Sequence, residues 1–200
     1  MSEPLRRLAR DELPAPTIAL ARFLIGKVIV HDRPEGRASG RIVETEAYVP
    51  GDASSHAFRG RTARNGSMFL ERGHAYVYFT YGMWHCLNVS SETPGVGAAV
   101  LLRAIEPVEG IALMERRRAS AALRDLGRGP GRLVQALGVS RADDGADLCA
   151  QGALWLAHAQ RPTGEIAQSV RIGISREAEA VLRFYERANP FVSGPKHLRA

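Results

Sequence analysis

Between residues 75 and 105 three apolar runs, AYVYFTYG, HCLNVS and AAVLLRAI, follow one another across short gaps that carry glycine. Each is rich in β-branched or aromatic residues. A parallel pairing would need a helix-length crossover, which none of these gaps can hold, so the runs must pair antiparallel. Upstream, residues 15–24 place Ile18, Leu20, Ala21 and Leu24 at helical spacing, with Gly26 set to end the helix. KVIVH, residues 27–31, reads as a strand, RPEGRASG as a turn region, and RIVETEAYV from Arg41 as a second strand. Downstream, residues 109–126 read as a helix with a basic face (Arg116, Arg117, Arg118, Arg124), residues 131–137 as a short helix, and ALWLA and VRIGI as strands. This pattern defines an α+β fold: a single domain built on a curved, barrel-like antiparallel β-sheet with flanking helices. No internal repeat or linker divides the chain, so residues 1–200 are expected to form one domain, with residues 1–14 left as a flexible N-terminal segment.

Hydrophobic content of 45% and charge of 24% are ordinary for a globular domain. The kind of charge is less so. Of 27 basic residues only Lys27 and Lys196 are lysine, leaving arginine, whose rigid fork suits phosphate. That bias fits a nucleic-acid partner and equally fits the codon usage of a GC-rich genome. Cys86 and Cys149 are too few for a disulfide framework and lie in no ligand pattern, so no metal and no cofactor is expected. The run TIALARFLIGKVIV is interrupted by Arg22 and Lys27 and lacks a cleavage site, which points to a cytoplasmic protein with no membrane partner.

Three places carry candidate chemistry. In RIVETEAYV the alternation of a strand puts Glu44, Glu46 and Tyr48 on one face. Acids at i and i+2 lie roughly 7 Å apart, the range of paired carboxylates in glycoside hydrolysis, but two acids on a solvated face look the same in sequence. In YVYFTYG, Tyr76 and Tyr78 share a face and could form a platform for a nucleobase or an aromatic core strand. GRGPGRLVQALG runs into a helix whose amino terminus could accept a DNA phosphate, or simply makes a tight turn; it has neither a Walker lysine nor a dinucleotide-binding glycine spacing. Arg103 sits at an otherwise apolar strand end, where it must pair with an acid or a bound phosphate.

The ordered runs RIVETEAYVPGDASSHAFRGRTARNGSMF, GHAYVYFTYGMWHCLNV, VLLRAIEPVEG, GPGRLVQALG, VRIGIS and LRFYERANPFVSG resemble the alkyladenine (3-methyladenine, or methylpurine) DNA glycosylase family over residues 16–194. The resemblance implies a monofunctional, monomeric enzyme that flips a damaged purine from double-stranded DNA and hydrolyses its N-glycosidic bond. It further implies that Glu46 is the catalytic glutamate, that Tyr48, His56, Tyr78 and Asn88 form the base pocket, that Tyr81 wedges into the emptied stack, and that Arg103 contacts DNA phosphate. The loop from Tyr48 to His56 is one residue shorter than the family form, and His56 is placed by the HAFRGRTARN that surrounds it. No associated lyase activity is expected, since neither lysine is marked as a Schiff-base nucleophile. A non-catalytic nucleic-acid-binding module, or a nucleoside hydrolase using Glu44 with Glu46, are the alternatives that the residues alone leave open.

Overall fold

The structure is a computed structural model that describes residues 4–80, 84–119, 122–159, 161–195 and 197. Helix α1 (Thr17–Leu24) begins after Pro16, a residue without an N–H to lose, and the Thr17 N–H and hydroxyl donate to Glu92 Oε1 at 2.8 and 2.6 Å. Leu20, Ala21 and Leu24 face the sheet, and Gly26, at φ +88°, carries the chain into strand β1 (Val28–Arg33). Only Pro34 and Glu35 form the turn that follows. The segment expected to be a longer turn region is already strand, because β2 (Gly36–Tyr48) starts at Gly36 and pairs back with β1 from that residue on.

Strands β3 (Ala75–Thr80), β4 (Trp84–Ser90) and β5 (Ala99–Glu109) run antiparallel in succession, as the short gaps require. Beyond them come β6 (Leu154–Ala157), β7 (Ile166–Ser169) and β8 (Arg183–Glu186). The order is β3-β4-β5-β2-β1-β6, with β8 paired to β2 and β7 to β8. The result is a curved antiparallel half-barrel with helices on its flank. Strand β2 is its spine. One edge pairs with β5, while the other pairs with β1 over its first half and with β8 at residues 44–46. Every residue from 38 to 47 is buried, so neither face of this strand lies in water.

Two further sequence expectations are corrected. The helix expected over residues 109–126 is broken into α2 (Ile111–Arg117) and a 3-10 turn at Leu123–Asp125. Gly110 is left-handed at φ +72° just before it, Ala119 turns the chain out at φ +52°, and only Leu113 and Met114 bury apolar surface. VRIGI is a loop and not a strand. Gly173 is at φ +79°, and the Ile172 N–H is given to a carboxylate instead of a neighbouring strand. Strands β7 and β8 lie on either side of that loop. The short helix is Pro130–Leu137, here α3, with proline in its first turn and Gly138 at its end.

Helices α1 and α3 pack over the sheet through Leu20, Leu24, Leu133 and Leu137 against Leu87 and Leu102. Within the N-terminal stretch, Leu8 is fully buried and its N–H donates to Leu156 O at 2.9 Å, beside an Arg7–Ala157 bridge.

Candidate active site

The site begins with a break in register. Ile42 pairs with Ile105 and Glu44 with Ala104, then Thr45 pairs with Leu102, so Arg103 is an extra residue on β5 with no opposite number. Such a bulge re-aims side chains. Arg103 turns into the space between the two glutamates, with Nε 3.1 Å from Glu44 Oε1 and Nη1 3.2 Å from Glu46 Oε1. On the other face of β2 the Thr45 hydroxyl donates to Ala21 O in α1, which fixes the alternation.

The two acids have different surroundings, although both are fully buried. Glu44 accepts from Arg103, from Arg183 Nε at 2.6 Å and from the Ser193 N–H at 2.6 Å. Burial alone would raise its pKa, but Arg103, Arg183 and the Ser193 N–H outweigh that and hold it below the ordinary glutamate range. Glu46 accepts from the Ile172 N–H at 2.7 Å on Oε1 and from the Tyr48 hydroxyl at 3.1 Å on Oε2. Here burial wins. Arg103 and the Ile172 N–H pull the pKa down, Glu44 pushes it further up, and the carboxyl titrates above the ordinary range. A carboxylate has about four lone-pair sites; Arg103, Ile172 and Tyr48 address three of them, leaving one on Oε2.

In front of this pair lies a cavity of about 410 Å³, within the usual size of ligand sites. Tyr48, Arg103 and Ile172 line it, whereas Glu46 itself sits immediately behind those three. His56, Tyr76, Tyr78 and Asn88 form further wall. Tyr76 and Tyr78 stack at 5.4 Å between centroids and 30° between planes, and His56 meets Tyr78 edge-on at 4.4 Å. His56 Nδ1 lies 2.9 Å from the Tyr76 hydroxyl. Burial and the nearby Arg64 lower the His56 pKa, so the ring is neutral at pH 7. Burial raises Tyr76 to about 12 and pushes Tyr48 and Tyr78 upward too, so all three phenols stay protonated and uncharged. Asn88, opposite Tyr76 across the β3–β4 pair, donates from Nδ2 to Tyr76 O at 3.0 Å.

The structure thus brings together Glu46, Tyr48, His56, Tyr78, Asn88 and Arg103 around one cavity; Tyr81 lies outside the described residues. Arg103 is nearly buried and committed to the two glutamates, the acid pairing that its apolar strand context allows. Sequence reasoning missed Arg183, Ile172, Trp84 and Cys86. The last two alternate with Asn88 along β4, so the period of the strand could have placed them on the cavity face. Arg183 and Ile172 reach the site from distant segments, and no local pattern marks them.

A half-barrel whose concave cavity is lined with tyrosines and backed by a carboxylate of raised pKa has the makings of an enzyme that encloses a flat, aromatic ligand. Comparison with known proteins gives the family. The family model described as Methylpurine-DNA glycosylase (MPG) matches residues 11–190. A protein of Mesorhizobium japonicum named "Putative 3-methyladenine DNA glycosylase" is 61% identical over 192 residues, covering 96% of this chain and 92% of that protein. Proteins of the same name from Paraburkholderia phytofirmans and Chlorobaculum tepidum are 56% and 46% identical, covering 98% and 94% of this chain and 92% and 91% of theirs. The chain belongs to the methylpurine-DNA glycosylase family. Its activity is that of a DNA glycosylase on alkylated purines, a hydrolase of base excision repair, and its partner is DNA. No helix among the described residues is long and apolar enough to cross a membrane.

Proposed function

We propose that the protein flips alkylated or deaminated purines, of the 3-methyladenine, 7-methylguanine and hypoxanthine type, out of duplex DNA into the 410 Å³ cavity and hydrolyses the N-glycosidic bond there. The observation that carries this reading is the contrast between Glu44 and Glu46. Glu44 is held ionised by two arginines and an N–H, which suits a structural counter-ion. Glu46 is bonded to Tyr48 and Ile172 of the cavity lining and has a raised pKa, which suits a general base. Glu46 orients a water through Oε2 and takes its proton as the water oxygen bonds to C1′ and the C1′–N bond breaks, leaving an abasic site. The carboxylate also stabilises the oxocarbenium-like charge that develops on the sugar.

A purine alkylated at N3 or N7 already carries positive charge and leaves as a neutral base, so no second carboxylate has to protonate it, whereas hypoxanthine leaves as an anion that takes its proton from solvent. The glycosidase-like pairing of Glu44 with Glu46 is disfavoured on the same grounds, because Arg103 and Arg183 occupy Glu44. Tyr48 and Tyr78 receive the base, His56 and Asn88 meet its edges, Tyr81 fills the gap in the stack, and Arg103 couples the glutamates to a DNA phosphate near the flipped nucleotide. Lys27 packs its ammonium over the Phe23 ring at 4.4 Å, away from this arrangement, and the reaction is simple hydrolysis without strand cleavage. Residues 1–200 act as one domain and a cytoplasmic monomer.

The test is strand breakage revealed by hot alkali in a labelled duplex carrying a single hypoxanthine or 7-methylguanine. Breaks are expected only after alkali and are not suppressed by free nucleoside. Binding without breaks would leave a non-catalytic module; suppression by nucleoside would mark a nucleoside hydrolase.

A further inference from the structure

Arg171 and Asp52 form a buried pair behind the cavity wall. The Arg171 side chain is fully buried; its Nη1 donates to Ala47 O at 3.0 Å and to Asp52 Oδ2, and its Nη2 reaches Asp52 Oδ1 at 3.3 Å. Its guanidinium carbon lies 4.8 Å from the centroid of the Tyr48 ring. Asp52 in turn accepts from the Ser54 N–H at 2.8 Å and hydroxyl at 2.6 Å, and Ser54 lines the cavity. The residue after Arg171 supplies the N–H that holds Glu46. One side chain therefore joins the end of β2, the loop toward His56 and the loop 170–174.

The charge of this arrangement matters as much as its rigidity. Around the cavity floor stand three acids, Glu44, Glu46 and Asp52, and three arginines, Arg103, Arg171 and Arg183. They balance. The floor is no electrostatic trap for a cation, and the ring face of Tyr48 is already engaged by a guanidinium. A cation stacked on the opposite face would meet a ring whose electrons are polarised toward Arg171 and would feel the like charge behind it.

We propose that Arg171, locked by Asp52, is a positioning and specificity-determining residue: it fixes Tyr48 and Glu46 and, by holding a positive charge behind Tyr48, weakens the cavity's preference for cationic bases relative to neutral ones. This rests on the reading of the cavity as the base site. Its effect belongs on the ratio of rates for a cationic and a neutral lesion, a quantity that a smaller folded fraction does not move.

The experiment compares single-turnover release of 7-methylguanine and hypoxanthine from otherwise identical duplexes by the wild type, Arg171→Met with Asp52→Asn, and Arg171→Lys. The double variant removes the guanidinium that faces Tyr48 together with its counter-ion, so that no buried carboxylate is left unpaired. It is expected to be slower on hypoxanthine and to raise the ratio of 7-methylguanine to hypoxanthine release about tenfold, the scale of a cation–π contact. Arg171→Lys keeps the charge without the fork, so it is expected to be slower on both lesions at the wild-type ratio. An unchanged ratio in a folded double variant that binds abasic duplex overturns the proposal, as does the same rise in Arg171→Lys. Glu46→Gln is assayed in parallel. Base release by that variant would overturn the reading of the site, whereas its inactivity with an unmoved ratio would overturn only the role of Arg171.

Discussion

Glu44 and Glu46 are two residues apart and chemically alike, and the fold gives them opposite tasks. Glu44 is tied to Arg103, Arg183 and the Ser193 N–H, all with little solvent near them. Removing its charge leaves two buried guanidiniums short of a partner. Glu44→Gln is expected to lose about 3–5 kcal/mol of stability in urea unfolding, and a loss below about 1 kcal/mol would contradict this account of the cluster. The pH dependence has a definite sign. The folded-state pKa of Glu44 lies below its unfolded value of about 4.3, so its contribution is fully present above that pH and lost as pH falls through the folded pKa. Glu46 runs the other way, since the fold disfavours its ionised form. The sequence placed both acids and Tyr48 on one face, which the bonds to Arg103 and Tyr48 bear out. It could not tell the acids apart, because the difference is made by Arg183, Ser193 and Ile172, more than a hundred residues further along the chain.

At the level of elements, the strands were legible wherever their ladder partners were near in sequence. Strands β3, β4 and β5 pair with one another across short gaps in the sequence, and alternation alone locates them. The errors fall where the surroundings decide. VRIGI alternates like a strand, yet its Ile172 N–H is used by Glu46; the arginine-rich stretch after Gly110 has helix formers but too little apolar surface to extend beyond two turns. The β2–β5 pairing is also closely fitted around Ile105, whose side chain lies between Gly40 and Gly127. A Cβ on Gly40 would stand 2.5 Å from Ile105 Cδ1 and 2.9 Å from its Cβ. Ile105 is β-branched and stiff and cannot move aside cheaply. Gly40→Ala is therefore expected to cost about 1–3 kcal/mol by overpacking, seen as a lower melting temperature with excision per folded molecule unchanged. Undiminished stability would mean that the two strands are less tightly apposed than described.

Across the whole molecule, the half-barrel serves to bring four distant segments to one point: the end of β2, the bulge in β5, the loop 170–174 and the start of β8. The resemblance of ordered runs carried the family, and with it a site whose described members now line or back one cavity. What the sequence left out is the scaffold of ion pairs behind that cavity, because buried arginine and surface arginine look alike in a chain so rich in that residue. The central claim is that this scaffold holds one carboxylate, Glu46, ready to activate water. Single-turnover base release by Glu46→Gln, measured beside its affinity for an abasic duplex, tests it most directly. Gln keeps the size of the side chain, so affinity is expected to stay within a few-fold of wild type while release of hypoxanthine falls about 10²- to 10⁴-fold, the range for loss of a general base. Release within a few-fold of wild type, with affinity intact, would contradict the account.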